Sequence, residues 1–76
     1  MELEPVQTEF PREHRPLSQR ELQVLEMTSL GLTNNQIARR LEVSEHAIKF
    51  HLSSIFRKLG VSNRTEAAVA FLRPLR

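Results

Sequence analysis

Residues 33–59 read TNNQIARRLEVSEHAIKFHLSSIFRKL, and this stretch decides the fold. Thr33 followed by Gln36 is a capping box: the hydroxyl accepts from an early backbone N–H, and the amide reaches back to the cap. Ile37, Ala38 and Leu41 then fall on one side of a short helix, and Ala38 is small enough to let another helix come close. Glu42-Val43-Ser44 leaves room only for a tight turn, with Val43 available to plug the corner. Ser44 is a favoured N-cap for the helix that follows. Placing residues 100° apart sets Ile48, Leu52, Ile55 and Leu59 in one narrow stripe. His46, Phe50, Ser53 and Arg57 fall on the opposite side, flanked by Lys49 and Ser54.

The same grammar extends outward from this unit. Upstream, Ser18 and Glu21 form another capping box, and Leu17 is placed to staple against Leu22. Val24, Leu25 and Met27 supply an inner face, and Gly31 suits the left-handed position that ends a helix. Downstream, Gly60 ends the third helix. A fourth runs from about Asn63, a cap with Glu66 three residues on, to near Arg73, where Pro74 stops it. Its run Ala67-Ala68-Val69-Ala70-Phe71-Leu72 is apolar nearly all round, so one side must join the core and the other needs a partner. No segment alternates with period two. The expected fold is therefore all-α: a four-helix domain over residues 17–76 containing a helix-turn-helix unit at about 33–52. Residues 1–16, with Pro5, Pro11 and Pro16 and no periodicity, read as a mostly unstructured N-terminal arm or interdomain linker.

Composition narrows the function. A chain of 76 residues forms one domain and buries only about 60% of its unfolded surface, so its core is small. No apolar stretch approaches the roughly 20 residues that span a bilayer, and no secretion signal opens the chain, so membrane association is not expected. The absence of Cys excludes disulfides and thiolate metal sites and fits a cytoplasmic location. Net charge is unevenly spread. Residues 1–16 hold four Glu and two Arg, leaving nine basic and five acidic residues in 17–76, a net of +4. The structured part is the basic part, which points to a polyanion.

Enzyme chemistry finds no materials here. The chain has no Asp, and its two Gly stand where helices end, so neither a Ser-His-Asp constellation nor a phosphate-cradling glycine loop can be built. His46 and His51 are five apart, about 140° around a helix, and no other ligand cluster accompanies them. No catalytic residue, metal or cofactor is expected, nor a small molecule bound by this domain.

Nucleic acid suits the third helix. The DNA major groove admits one α-helix and displays a distinguishable pattern of donors and acceptors. Lys49, near the helix start, can donate to guanine O6 and N7; an ordinary solvated lysine is the alternative. Ser53 lies one turn on, and His46 shares the face. Phe50 sits almost opposite the buried stripe and must be covered by something: a thymine methyl or deoxyribose, or else the N-terminal arm or a second subunit. Arg57 and Lys58 suit either a phosphate or the negative end of the helix dipole. Thr33 and Asn34 stand at the start of the second helix, where free N–H groups bind phosphate readily, and Ser44 occupies the same position on the third. His51 is expected to be partly buried, and Arg39 and Arg40 to be solvated.

The pattern Leu17-Ser18-x-Arg20-Glu21-x-x-Val24-Leu25, Gly31-Leu32-Thr33-Asn34-x-x-Ile37-Ala38-x-x-Leu41, Val43-Ser44-Glu45, Ile48-Lys49-x-His51 and Lys58-Leu59-Gly60-Val61-x-Asn63-Arg64 resembles the LuxR/GerE-type helix-turn-helix domain. This domain is also the output end of NarL/FixJ-type response regulators. The resemblance spans about residues 17–72. It implies that the third helix enters the major groove, that the fourth supports dimerisation on DNA, and that Lys49, Phe50 and Ser53 face bases. It further implies that Thr33 and Asn34 lie near phosphates, while Glu21 and Arg64 are tied up within the fold. The chain departs from the family at Ala47, where Thr is common, and at Ser53, where some members carry a base.

The reading that follows is a transcription regulator, or its DNA-binding output domain. It binds duplex DNA as a homodimer through Val69, Ala70 and Arg73, has RNA polymerase as a further partner, and localises to the nucleoid when bound. Two alternatives stand beside it. One is a helix-turn-helix module that binds protein and has lost DNA. The other is the promoter-reading region of a sigma factor, against which His51 and the Lys58–Arg64 segment argue.

Overall fold

The computed structural model describes residues 16–73. Four helices follow in order: α1 (Gln19–Ser29), α2 (Asn34–Leu41), α3 (Glu45–Leu59) and α4 (Arg64–Leu72). No strand occurs among the described residues. The arm assigned to residues 1–16 and the stop at Pro74 lie, apart from Pro16, outside the described residues.

Each helix starts where a side chain replaces a missing backbone partner. Ser18 Oγ accepts from the Glu21 N–H at 3.1 Å, and Glu21 Oε1 accepts from the Ser18 N–H at 2.8 Å. Thr33 and Gln36 repeat this reciprocal pair at 3.1 and 2.8 Å. Ser44 caps α3 through the Ala47 N–H, and Asn63 caps α4 through the Glu66 N–H. Each such cap is worth about 1 kcal/mol.

The first three helices end in one way. After α1, Leu32 N–H reaches the Met27 carbonyl and Gly31 N–H that of Thr28. After α3, Val61 reaches Phe56 and Gly60 reaches Arg57. Gly31 and Gly60 take the required positive φ, 94° and 73°. After α2 the same two bonds run from Val43 to Ala38 and from Glu42 to Arg39. Here the left-handed residue is Glu42, at φ 60°, which a side chain rarely adopts. The turn of the helix-turn-helix is thus closed without glycine, and Val43 is carried in against the core.

Val24 and Leu25 of α1, Ile37 and Ala38 of α2, Ile48, Leu52 and Ile55 of α3, and Ala67 of α4 form the buried core. Leu17, Met27, Leu32, Leu41, Val43, Leu59 and Val61 pack around it half-buried. α1 and α3 each pack against the other three helices. The expected staple is only half made: Leu17 joins the core, but Leu22 stays 47% exposed.

Candidate nucleic-acid interface

The inner side of α3 is fixed by Ile48 and Ile55, both fully buried, and by Leu52. Its outer side faces away from that core. His46, Lys49, Phe50, Ser53 and Arg57 are all exposed, and Phe50 reaches 72% exposure. Among the described residues, the ring of Phe50 meets that of its neighbour His51 edge to face, with centroids 6.0 Å apart. His51 is half-buried, beside the stripe. An aromatic ring in water at that position is unfavourable by the usual transfer arithmetic unless a partner covers it.

The two N-caps bordering this face are exposed as well. Thr33 and Ser44 use their hydroxyl oxygens as acceptors within the caps, which leaves each O–H able to donate outward. The N–H groups of Asn34 and Asn35, first in α2, have no backbone acceptor among the described residues. An anion placed there meets free donors and the positive end of the helix. An open cleft of about 370 Å³ lies where the start of α2 meets α3 and the start of α4, lined by Asn34, Lys49, Leu52, Ser53, Asn63 and Arg64 among others.

Whereas its neighbour Arg57 is exposed, Lys58 is half-buried. Its Nζ lies 2.9 Å from Glu21 Oε1, and its side chain is only 13% exposed. Ser54 donates to the other Glu21 oxygen at 2.7 Å. Burial alone would raise the Glu21 carboxyl, but it is outweighed. Hydrogen bonds from the Ser18 N–H, Ser54 and Lys58, together with the Lys58 charge, hold it down at about 2, against 4.5 ordinarily. The charge that Lys58 was expected to offer a phosphate is therefore taken up inside the fold, tying α3 to the start of α1. Arg64 is also internal: it donates to Asn34 Oδ1 and to the Leu32 carbonyl, at 2.8 and 2.6 Å. The resemblance implied that Glu21 and Arg64 are held within the fold; it did not supply their partners, which lie 37, 33, 32 and 30 positions away.

On α4, Val69, Ala70 and Arg73 are exposed, as are Phe71 at 40% and Leu72 at 65%. No group of His, Cys, Asp and Glu suited to a metal occurs among the described residues. No described helix is long and apolar enough to cross a membrane.

A buried core, an exposed basic helix behind a tight turn and two capped helix starts beside it define a helix-turn-helix DNA-binding domain. Comparison with known proteins gives the family. Residues 15–71 match the family described as "Bacterial regulatory proteins, luxR family". The transcriptional regulatory protein LnrK of Bacillus subtilis (strain 168) is 42% identical over 65 residues, 86% of this chain and 30% of LnrK. The nitrate/nitrite response regulator protein NarP of Escherichia coli (strain K12) is 44% identical over 57 residues, 75% of this chain and 26% of NarP. Among solved structures, a chain of the complex of the anti-activator RapF with the response regulator ComA DNA-binding domain superposes with a TM-score of 0.69. It is 42% identical, over 71% of this chain and 93% of that one. The chain belongs to the LuxR family of bacterial regulatory proteins, as a DNA-binding domain of a transcription regulator. It spans less than a third of the length of these two curated relatives. The family is one of transcription regulators, not a class of enzymes.

Proposed function

We propose that α3 enters the major groove of duplex DNA and reads sequence there. Lys49, Phe50, Ser53 and His46 meet base edges, while Thr33, Asn34, Ser44 and Arg57 grip the flanking phosphates. The observation that carries this reading is the contrast across α3: Ile48 and Ile55 are fully buried, and Phe50, on the other side, is 72% exposed next to an exposed lysine. Phe50 then packs on a thymine methyl or a deoxyribose, and Lys49 donates to guanine. The exposed run of α4 pairs two copies through Val69, Ala70 and Arg73, matching two half-sites. The domain serves as the output end of a longer or stand-alone regulator, works with RNA polymerase, and resides in the cytoplasm on the nucleoid.

A salt titration tests the central part. Affinity for duplex DNA should fall steeply as salt rises, because each phosphate contact releases counterions. Absence of binding to random and promoter duplexes below about 100 μM at low salt, the weak end of the non-specific range, contradicts it.

One observation favours a second reading, a module that docks on protein. Leu22, Val69, Phe71 and Leu72 expose large apolar side chains. A solved relative, the ComA DNA-binding domain, is complexed with the anti-activator RapF. A protein-only module would bind selected and random duplexes alike, no better than its net charge alone provides.

A further inference from the structure

Arg64 is the first residue of α4, yet it reaches back to the start of α2. Its two terminal nitrogens span Asn34 Oδ1 and the Leu32 carbonyl in one fork. A guanidinium donates and never accepts. Whichever edge of the Asn34 amide faces it must therefore be the oxygen, by chemistry alone. The nitrogen edge, with its two hydrogens, is turned the other way. No described residue accepts from that nitrogen; among the described residues the Arg64 bond is the one hydrogen bond of the Asn34 side chain. Asn34 lines the same open cleft as Lys49 and Ser53.

We infer that Arg64 is a positioning residue for DNA binding: by holding Asn34 Oδ1 it fixes Asn34 Nδ2 as an outward donor to a backbone phosphate crossing the cleft beside Lys49 and Ser53. The inference rests on the DNA reading above and assigns a role within it to a side chain that touches no DNA itself. The physical gain is preorganisation. An untethered asparagine amide turns through a broad, roughly two-fold torsion and offers a phosphate its oxygen as readily as its nitrogen. The oxygen repels the phosphate and the nitrogen binds it. Arg64 removes the wrong half of that ensemble before DNA arrives, so less ordering cost falls on binding. A planar fork also meets two acceptors at once, where a lysine presents a point charge. The start of α4 and the start of α2 thereby become one rigid unit at the edge of the groove-facing helix.

A double-mutant cycle on the full chain tests this, with binding to a fluorescent random-sequence duplex read at low salt and at a temperature where circular dichroism shows every variant folded. Arg64→Met and Asn34→Ala should each weaken binding about two- to tenfold, the range of one ordinary hydrogen bond. The double variant should be no weaker than the worse single, because Arg64 acts only through Asn34. Losses that multiply would overturn the inference, since a general structural role of Arg64 persists without Asn34. Unchanged affinity in Asn34→Ala overturns it equally. Should Arg64→Met not fold, the wild-type chain decides. The Asn34 side-chain amide resonances should shift on addition of the duplex, and a static Asn34 side chain while α3 backbone amides move overturns the proposal. Failure of the DNA reading itself looks different: no α3 amide moves at all, and both inferences fall together.

Discussion

Among the described residues, α3 and α4 each expose one side, and the two sides differ in kind. The exposed face of α3 carries His46, Lys49, Ser53 and Arg57 around a single aromatic ring. That of α4 carries Val69, Ala70, Phe71 and Leu72, with Glu66 a turn before them and Arg73 after. Their inner sides differ too. α3 buries Ile48, Leu52 and Ile55, whereas α4 buries only Ala67. A helix held by three large side chains is a stiff platform, and its exposed polarity suits a polyanion. A helix held by one alanine and showing an apolar surface gains most from a second protein surface. The contrast teaches that exposure alone does not name a partner; the chemistry of what is exposed does.

The largest test strikes the platform. Ile48→Ala removes a fully buried side chain and should cost about 2–5 kcal/mol in urea unfolding. Val69→Ala, at a residue 48% exposed, should cost well under half as much. Equal costs would erase the difference between the two helices. Next comes the tie between α1 and α3. Glu21→Gln leaves Lys58 without its charge partner and should cost roughly 2–4 kcal/mol, also by urea unfolding. Its pH dependence has a definite sign. The folded carboxyl titrates at about 2, below its ordinary 4.5, so its stabilisation is complete above pH 4.5 and is lost as pH falls toward 2. In Glu21→Gln that acid-side loss should shrink. An unchanged acid profile would mean that Glu21 is not the group responsible.

Third, Lys49→Ala should cost roughly 1–3 kcal/mol on a selected cognate duplex and less on random DNA, measured by anisotropy. Equal losses on both would move Lys49 from base to phosphate. Fourth, Val69→Glu should lower cooperativity on a probe with two half-sites by on the order of 1 kcal/mol, with helicity unchanged by circular dichroism. Unaltered cooperativity removes α4 from the dimer. The smallest effect belongs to the turn. Glu42→Gly relieves a side chain at positive φ and should raise stability by about 0.5–1 kcal/mol, read from the urea midpoint. A loss instead would mean that the Glu42 side chain contributes more than its backbone costs.

Much of this was legible in the sequence because it is local. Capping boxes at Ser18 and Thr33, glycine stops at Gly31 and Gly60 and the stripe Ile48-Leu52-Ile55 all obey rules spanning a few residues, and all are present. The left-handed Glu42 was not legible, since nothing in its side chain asks for that conformation; the tight corner that carries Val43 inward imposes it. Lys58 illustrates the other gap. Its place near the end of α3 suggested a phosphate or the helix dipole. Only the angle at which α1 crosses α3 brings Glu21 to it. The Arg64 fork has the same origin, joining residues that no periodicity relates. Leu22, half of an expected staple, stays exposed, while Leu17 packs against the core.

Two phenylalanines allow the contrast between the helices to be tested directly: Phe50 on α3 and Phe71 on α4 are both exposed. A photoreactive phenylalanine analogue placed at each in turn, and irradiated with duplex DNA at low salt, reports what covers each surface. The account predicts crosslinks to DNA from position 50 and to a second protein chain from position 71. Crosslinks to DNA from position 71 with none from position 50 would contradict it.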